Sequence, residues 1–321
     1  MRTILILSFL FICIYSLKAQ DDLDKQLDEL VPKKVTLPVT ATFKSPQIIN
    51  GQSNETVHKH DLLFVVMHRF GDIAGQFGGI KTFYGLDNAT DFLIGFDYGI
   101  TDRLSFGIGR TKGSPNGSNS QTQLFYIKPK YRLIRQSIDN RMPVSVTLFG
   151  NAVVSGMAKD LLEPLSDSHF QKFSDRLSFV SQAIVTRKFS DDLSLALVPT
   201  YVRRNYVRFK DMNDLFALGM GGRMKISHRM ALVADYFLSF RSSESKNYFF
   251  QQNNKFRFYN PLGIGFEMET GGHVFNFIFT NSAAILENQF IPSTSSTWTN
   301  GGFRWGFSIS RTFTLFKKPD S

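Results

Sequence analysis

Apolar and polar residues alternate with a period of two along most of this chain, from about residue 60 to near its end. A β-strand points successive side chains to opposite faces, so this period predicts strands rather than helices. The segment near 90–100 shows the pattern, with one face formed by Phe92, Ile94, Phe96, Tyr98 and Ile100 and the other by Leu93, Gly95, Asp97 and Gly99. The segments near 215–226 and 257–269 repeat it, with glycine and charged residues on the less apolar face.

The same reading along the chain predicts about twelve antiparallel strands. They lie near 60–70, 90–100, 103–111, 122–133, 143–156, 176–188, 193–204, 215–226, 230–241, 257–269, 273–281 and 302–313. Each has about the length that a tilted membrane strand requires.

Short and long connections alternate between these strands. The tight turns are 101–103, 190–192, 227–229 and 270–272, with 134–142 as a looser fifth. The long connections lie near 71–89, 112–121, 157–175, 205–214, 242–256 and 282–301. With an even number of strands, all tight turns fall at one end and all long loops at the other, as in outer-membrane barrels.

A soluble β-sandwich would also show alternation, because its apolar faces point to a core. Two features favour a membrane barrel, namely aromatic residues near the strand ends and a polar face rich in glycine and charge. The last strand places Phe303, Trp305, Phe307, Ile309 and Phe313 on one face. That strand resembles the terminal signal by which the barrel assembly machinery recognises its substrates. The predicted fold class is an all-β, transmembrane, antiparallel up-and-down barrel.

The N-terminus has the pattern of a cleaved signal peptide over residues 1–19, with Arg2, an apolar run from Ile4 to Leu17 and a small residue at Ala19. A membrane anchor is the competing interpretation, but the run is short and Lys18 follows it. A lipid anchor on Cys13 is disfavoured because Ile12 precedes it. No later apolar run reaches the ~18–20 residues of a spanning helix. After cleavage the chain would contain no cysteine.

The remaining chain divides into an N-terminal arm, a barrel and a tail. We expect residues 20–57 to form a periplasmic arm, with one short helix where Leu23, Leu27 and Leu30 have helical spacing. Whether this arm folds into the lumen stays open. The barrel spans 58–316 and the tail 317–321. Both termini are expected in the periplasm of a Gram-negative bacterium, with the barrel in its outer membrane.

The first half of the chain contains the motifs Phe43-Lys44-Ser45, Ile48-Ile49-Asn50-Gly51, His68-Arg69-Phe70-Gly71-Asp72, Phe83-Tyr84-Gly85-Leu86-Asp87-Asn88, Asp97-Tyr98-Gly99-Ile100-Thr101-Asp102-Arg103-Leu104 and Gly107-Ile108-Gly109-Arg110. In combination these motifs resemble a family of Bacteroidota envelope proteins known as a β-barrel domain of unknown function. The resemblance is densest over about 40–150. It implies an outer-membrane barrel and carries no activity or catalytic residue to transfer.

The formal net charge of +10 could suggest nucleic-acid binding, but no Lys/Arg block is interleaved with aromatic residues, so no nucleic acid is expected. The predicted lumen face carries Lys128, Lys130, Arg132, Arg223, Lys225, Arg241, Arg304, Asp97, Asp235, Glu267 and Glu269. A basic wall would favour anions in an open pore. Alternatively, these charges pair across the lumen and close it, since a barrel of ~12 strands is intermediate between a filled interior and a channel. Both interpretations stay open.

Two smaller groups of residues have structural and functional interpretations. Arg69 with Asp72 and Asp87 could form an ion-paired cluster at the rim, which would mainly order a long loop. His58 and His60 could chelate a metal, but no carboxylate pattern accompanies them, so no metal and no cofactor are expected.

Catalysis is not expected, because the sequence contains neither a Gly-x-Ser-x-Gly nor a His-x-Ser pattern. The leading functional hypothesis is a narrow pore for small, anionic solutes. The alternatives are a closed structural or partner-binding barrel and, third, a membrane-embedded enzyme. The expected partners are outer-membrane lipid, the assembly machinery and a small anionic solute.

Overall fold

The computed structural model describes residues 37–114, 121–252 and 255–316, and twelve antiparallel strands within them close into a barrel. The strands are β1 (Asp61–Asp72), β2 (Ala89–Gly99), β3 (Leu104–Thr111), β4 (Leu124–Ile134), β5 (Ser145–Ser155), β6 (Leu177–Lys188), β7 (Leu193–Arg204), β8 (Asp214–Lys225), β9 (Met230–Ser239), β10 (Leu262–Thr270), β11 (His273–Thr280) and β12 (Arg304–Thr314). Each strand pairs with its sequence neighbours, and β1 closes the ring on β12 from Asp61↔Thr314 to Asp72↔Arg304. The barrel therefore has no free edge.

The predicted strand count and order are confirmed. The largest boundary difference is at β10, which begins at Leu262 rather than near 257. Pro261 precedes it and has no N–H to give to a ladder. Phe258 therefore lies in the preceding loop, where it packs against Phe249.

The connections sort to the two ends of the barrel as the alternation of short and long segments predicts. We call the end with the five short connections the turn end (100–103, 135–144, 189–192, 226–229 and 271–272). The loop end carries the six long connections (73–88, 112–123, 156–176, 205–213, 240–261 and 281–303). The last two contain the helices α1 (Ser243–Gln252) and α2 (Glu287–Ser293). No helix among the described residues is long and apolar enough to cross a membrane.

The outward face of the barrel is apolar. Phe96, Ile108 and Phe216 are 42%, 51% and 61% exposed, which in water would be unfavourable for so many large apolar groups. Their inward neighbours are buried, and Asp97, Gly107 and Leu215 alternate with them along the strands. This arrangement gives lipid an apolar surface and leaves the polar groups inside.

Two segments fill the interior of the barrel. Residues 42–57, here the arm plug, begin beside the start of β1 at the turn end and lie almost entirely buried. Residues 282–294, the loop plug, enter from the loop end and are buried throughout. Whether the arm folds into the lumen, which the sequence leaves open, is answered for residues 42–57, which lie inside the barrel. The predicted signal peptide, the helix near 21–30 and the tail at 317–321 lie outside the described residues.

Candidate functional site

The arm plug is a hairpin whose tip lies at residues 48–51. Ile48 N–H donates to the Gly51 carbonyl at 2.8 Å, and Ser53 N–H donates to the Pro46 carbonyl at 2.8 Å. Asn50 and Gly51 are residues that favour tight turns, and Pro46 restricts the chain where the first leg begins. The local sequence therefore forms a compact loop that fits inside the barrel.

The carboxylate of Asp235, in the middle of β9, holds the tip. Its Oδ2 accepts the backbone N–H groups of Ile49, Asn50 and Gly51 at 3.1, 2.6 and 2.8 Å. Its Oδ1 accepts the Asn50 side-chain amide at 2.8 Å. Successive backbone N–H groups around one anion form a nest, in which charge-assisted hydrogen bonds are stronger than neutral ones.

Basic side chains of the wall bind the carbonyl groups of the same hairpin. Arg69 Nη2 donates to the Ile49 carbonyl at 3.1 Å and to Asn50 Oδ1 at 3.3 Å. Lys130 Nζ donates to Pro46 O at 2.9 Å and to Ser53 O at 3.2 Å, so it joins the two legs. The backbone of the tip is thus bound by an anion on one side and by cations on the other.

The base of the arm plug contacts the wall near the turn end. Arg132 pairs with Glu55 at 3.3 Å, and Thr147 donates to the Asn54 carbonyl at 3.1 Å. Lys44 pairs with Glu269 at 3.0 Å. These contacts extend the attachment of the arm from the tip to the end of the barrel.

Wall glycines make room for the tip. A Cβ added at Gly263 would lie 2.5 Å from Ile49 Cγ2, and one at Gly221 would overlap Ile48 Cδ1. Ile48 and Ile49 belong to a buried apolar cluster with Val198, Val233 and other wall residues. The glycine-rich lumen face predicted from the sequence is therefore occupied by apolar groups of the arm at these positions.

The loop plug is fixed in a similar way by Asp91 of β2. Asp91 Oδ2 accepts the Ile285 N–H at 2.9 Å, and Oδ1 accepts the Gly113 N–H of a neighbouring loop at 2.9 Å. On the opposite wall, Asn288 Nδ2 donates to Ser178 Oγ at 2.7 Å. A single buried carboxylate on each side of the lumen thus anchors one of the two plugs.

Arg241, just beyond β9 at the loop end, fixes the end of α2. Its Nη2 donates to the Pro292 carbonyl at 2.7 Å, and its Nη1 pairs with Asp211. Burial lowers the pKa of the Arg241 guanidinium, and the adjacent Asp211 carboxylate acts in the opposite direction. Its face lies 3.6 Å from the ring centroid of Phe258.

The two plugs meet inside the lumen. Gln52 Nε2 of the arm plug donates to Glu287 Oε1 of the loop plug at 2.8 Å, and Asn151 of β5 donates to Glu287 Oε2 at 3.1 Å. On either side of this contact lies an open vestibule. The vestibule at the loop end measures about 650 Å³ and the one at the turn end about 340 Å³.

Most of the predicted lumen charges are engaged in pairs or in contacts with the plugs. Lys128 pairs with Asp97 at 3.0 Å, Arg223 with Glu267 at 2.7 Å, and Arg304 with Asp72. The partners of Lys130, Arg132, Arg241, Asp235 and Glu269 are those described above, and Lys225 lies at the turn end of β8. Of the two interpretations left open by the sequence, this arrangement favours a closed lumen. The pairs join strands that are adjacent or separated by one strand along the wall, and the plugs, rather than charge pairs across the lumen, fill the interior.

The rim cluster predicted from Arg69, Asp72 and Asp87 does not form. Arg69 points inward and reaches the arm tip, whereas Asp72 binds Arg304 and Asp87 is exposed in the loop. The pairing of β1 with β12 is irregular between Arg69 and Asp72. The number of residues between them therefore does not determine which face of the sheet each side chain occupies. The two histidines of the possible chelate also diverge, since His58 lies 3.7 Å from Asp102 and His60 lies 3.3 Å from the Tyr98 hydroxyl.

Residues that the sequence reasoning missed are those of the plugs themselves. Asn50 of the arm, and Glu287 and Asn288 of the loop, are buried polar groups with wall partners, and the buried Gln52 of the arm binds Glu287. The Asn50-Gly51 turn pattern could have indicated the hairpin. Nothing in the local sequence of the arm indicates that its partners lie on β1, β4, β5 and β9.

The comparisons with known proteins concern the whole barrel. The family described as "Membrane bound beta barrel domain (DUF5777)" matches residues 43–313. No curated protein matches the sequence. Among solved structures, the KdgM porin has a TM-score of 0.44 at 6% identity and covers 79% of this chain and 99% of its own. The CymD monoaromatic hydrocarbon channel has a TM-score of 0.39 at 9% identity and covers 80% of this chain and 89% of its own. The Acinetobacter baumannii outer membrane protein Omp33 has a TM-score of 0.38 at 8% identity and covers 79% of this chain and 99% of its own.

Proposed function

We propose that this chain, which belongs to the family of membrane-bound β-barrel domains, is an outer-membrane channel for small anionic solutes that its two plugs keep closed. In this proposal the turn end faces the periplasm and the loop end faces the outside of a Gram-negative cell. Short periplasmic turns and longer outer loops are the usual arrangement in such barrels.

The observation that carries the proposal is the pair of vestibules on opposite sides of the plugs. The vestibule at the loop end is lined by the cations Lys255, Arg257 and Arg304 and by one carboxylate, Asp72. The vestibule at the turn end is lined by the cations Lys44, Arg132 and Arg135 and by two carboxylates, Glu55 and Asp61. An excess of cations at both mouths would attract anions and repel cations. The layer that separates the vestibules is formed by side chains and backbone of the plugs rather than by the barrel wall.

The arm plug is the segment we expect to move. It joins the barrel only at its C-terminal end, before β1, so it can leave the lumen without breaking a strand pair. The loop plug is tethered on both sides, between β11 and β12. Release of the arm would connect the turn-end vestibule to the middle of the lumen.

Conductance in planar bilayers tests this proposal. The mature chain should conduct little, whereas a variant lacking residues 20–57 should conduct at least about tenfold more, with a reversal potential that shows anion preference. An Asp191→Asn variant, changed at an exposed turn residue, serves as the matched control and should behave like the unmodified protein. A second variant that also replaces loop-plug residues 284–292 by a short Gly/Ser linker removes the other barrier. If neither shortened variant conducts ions at any voltage, the channel proposal is wrong.

A closed, partner-binding barrel is the second candidate. The observation that favours it is the number of buried hydrogen bonds that fix the arm, including four to Asp235 alone. In that case the arm would be a permanent part of the interior. A photo-crosslinker at the exposed Thr40 tests it, since one stoichiometric envelope partner together with no conductance would support this candidate.

A further inference from the structure

The vestibule at the loop end combines positive charge with aromatic surface, and the proposed function leaves this combination unexplained. We propose that it is a binding site for a small organic anion that carries a ring. The inference rests on the proposed function for its physiological meaning, but the binding itself is independent of conduction. A volume of about 650 Å³ falls in the range of small-molecule sites.

The charge balance of this vestibule is positive. Its lining contains three cations, Lys255, Arg257 and Arg304, against one carboxylate, Asp72, which already pairs with Arg304. Among the described residues, neither Lys255 nor Arg257 takes part in an ion pair, and both are exposed. The Arg257 guanidinium lies 4.9 Å from the ring centroid of Phe250, so a cation–π contact positions it while its N–H groups remain available.

Arg304 adds a buried cation with unused donors. Its side chain is 1% exposed, and its Nη2 donates to Asp72 and, at 3.0 Å, to Ser296 Oγ. Its Nε and Nη1 have no hydrogen-bond partner among the described residues. Buried donors without partners are costly, and an Arg that retains them is suited to share them with an incoming carboxylate or phosphate.

Aromatic rings supply the apolar part of the site. Phe77 is 72% exposed and lines the vestibule together with Phe256 and Tyr259. Phe256 is held by an edge contact with Phe258, at 5.0 Å between ring centroids, and Tyr259 by a backbone bond to Thr294 at 2.9 Å. Ring faces bind flat apolar surfaces, whereas the nearby cations bind the charge, so a ring-bearing anion fits better than a bare ion.

Fluorescence titration of the full-length protein in micelles tests the site. The chain has two tryptophans, and both lie at the loop end, with Trp298 stacked on Phe303 and Trp305 donating to the Tyr84 carbonyl. Glucuronate and benzoate are the probes for a sugar ring and an aromatic ring, with glucose and benzamide as neutral counterparts. At least one anion should give a saturable signal that its neutral counterpart lacks, and inorganic phosphate should bind at least about tenfold more weakly.

Substitutions test whether the fluorescence signal comes from an anion bound in this vestibule. Replacing Lys255 and Arg257 together by Gln should weaken binding of the anion by about tenfold or more, because both exposed cations are lost. The matched control replaces Lys81 and Lys159, two exposed loop lysines away from this lining, and should leave binding unchanged. Arg304→Lys keeps the charge without the fork of donors and should weaken binding less than Arg304→Gln.

The outcomes separate this inference from the proposed function. The proposed binding site would be wrong if the anions bound no better than their neutral counterparts or than phosphate. It would also be wrong if the Lys255/Arg257 replacement did not weaken binding. Conductance of the shortened variant without anion binding would also overturn it, while leaving the channel intact. Anion binding that depends on Lys255 and Arg257, in a barrel that never conducts, would support the site and remove the channel.

Discussion

At the scale of single residues, the Asp235 carboxylate makes more hydrogen bonds to the arm tip than any other described side chain of the wall. Asp235 is the acceptor for three consecutive backbone N–H groups and one side-chain amide of the arm tip. Its negative charge also lies in the same buried region as Arg69. Removal of the carboxylate would leave several donors and a cation without their partner at once.

We therefore predict that Asp235→Ala releases the arm. Each buried group left unpaired costs about 1–3 kcal/mol, so the loss over the tip should exceed any other single change in the wall. The measurement uses Ser53→Cys, at a site that is fully buried in the arm, because the mature chain is expected to have no other thiol. Maleimide labelling of this cysteine should accelerate at least about tenfold with Asp235→Ala. Asp191→Ala is the control, and equal labelling in the two variants would contradict the prediction.

A second residue-level prediction concerns the glycine that faces the tip. The Cβ added by Gly263→Ala would lie 2.5 Å from Ile49 Cγ2 and 2.8 Å from Asn50 Nδ2. Both distances are too short for non-bonded atoms, so the tip must shift. Labelling of Ser53→Cys should become faster. A Cβ added by Gly222→Ala, on the outer face of β8, would meet a Leu195 methyl at 3.3 Å and the Ser194 carbonyl at 3.9 Å, so this change should leave the labelling rate unchanged. If both alanines act alike, the lumen glycine does not make room for the arm.

At the scale of elements, a direct hydrogen bond joins the two plugs. Gln52 and Glu287 lie on segments that enter from opposite ends, and Glu287 also binds the wall through Asn151. Movement of either plug therefore leaves a buried polar group of the other without its partner. We expect a change in the loop 281–303 to reach the arm through this contact.

A double-mutant cycle measures this coupling. Gln52→Ala and Glu287→Gln should each increase labelling of Ser53→Cys, and the pair together should increase it by less than the product of the two effects. The expected coupling energy is about 0.5–3 kcal/mol, as for other residues in direct contact. Purely multiplicative effects would show that the plugs move independently.

A pH-dependent contact joins two loops of the loop end. Lys210 donates to Glu244 of α1 at 2.5 Å, and this hydrogen bond lowers the pKa of the Glu244 carboxyl. A lowered pKa means that the contact is present above the ordinary glutamate range and is lost as the pH falls through the lowered value. Lys210→Gln should raise the pKa of Glu244 toward its ordinary value, as followed by NMR of the labelled carboxyl. An unchanged titration would show that Lys210 is not the cause.

The elements themselves were largely predictable, because a membrane barrel imposes a strict period. The outward Phe96 and inward Asp97 follow from alternation alone, and the tight turn at 101–103 follows from its polar residues. The plugs could not be predicted in this way. The partners of Asn50 lie at Asp235 and Thr280, and no local pattern encodes a contact across so many residues. For the same reason Arg69 could be assigned to the inward face, but not to the arm tip.

At the scale of the whole molecule, the barrel and its contents depend on different interactions. Every strand is paired on both sides, including β1 with β12, so the wall does not need the arm for its backbone hydrogen bonds. The arm adds buried apolar groups, Ile48 and Ile49, and pairs with several lumen charges. It should therefore contribute to stability without determining the fold.

The variant lacking residues 20–57 should accordingly keep its β-sheet circular dichroism and melt at a lower temperature than the mature chain. The loss has two physical sources, the apolar area of the tip and the wall cations left without their carbonyl acceptors. Thermal melts of both proteins in the same detergent provide the measurement. Loss of β structure on deletion would mean that the arm is needed to form the wall.

The contacts of the arm tip also determine when it can take its place during biogenesis. Asn50 binds Asp235 and Thr280, which follow it by 185 and 230 residues, so its partners come together only after β9 and β11 have joined the sheet. The segment that leaves the ribosome early is thus among the last to reach its final position. We therefore expect the arm tip to dock only once the strands that carry its partners have joined the sheet.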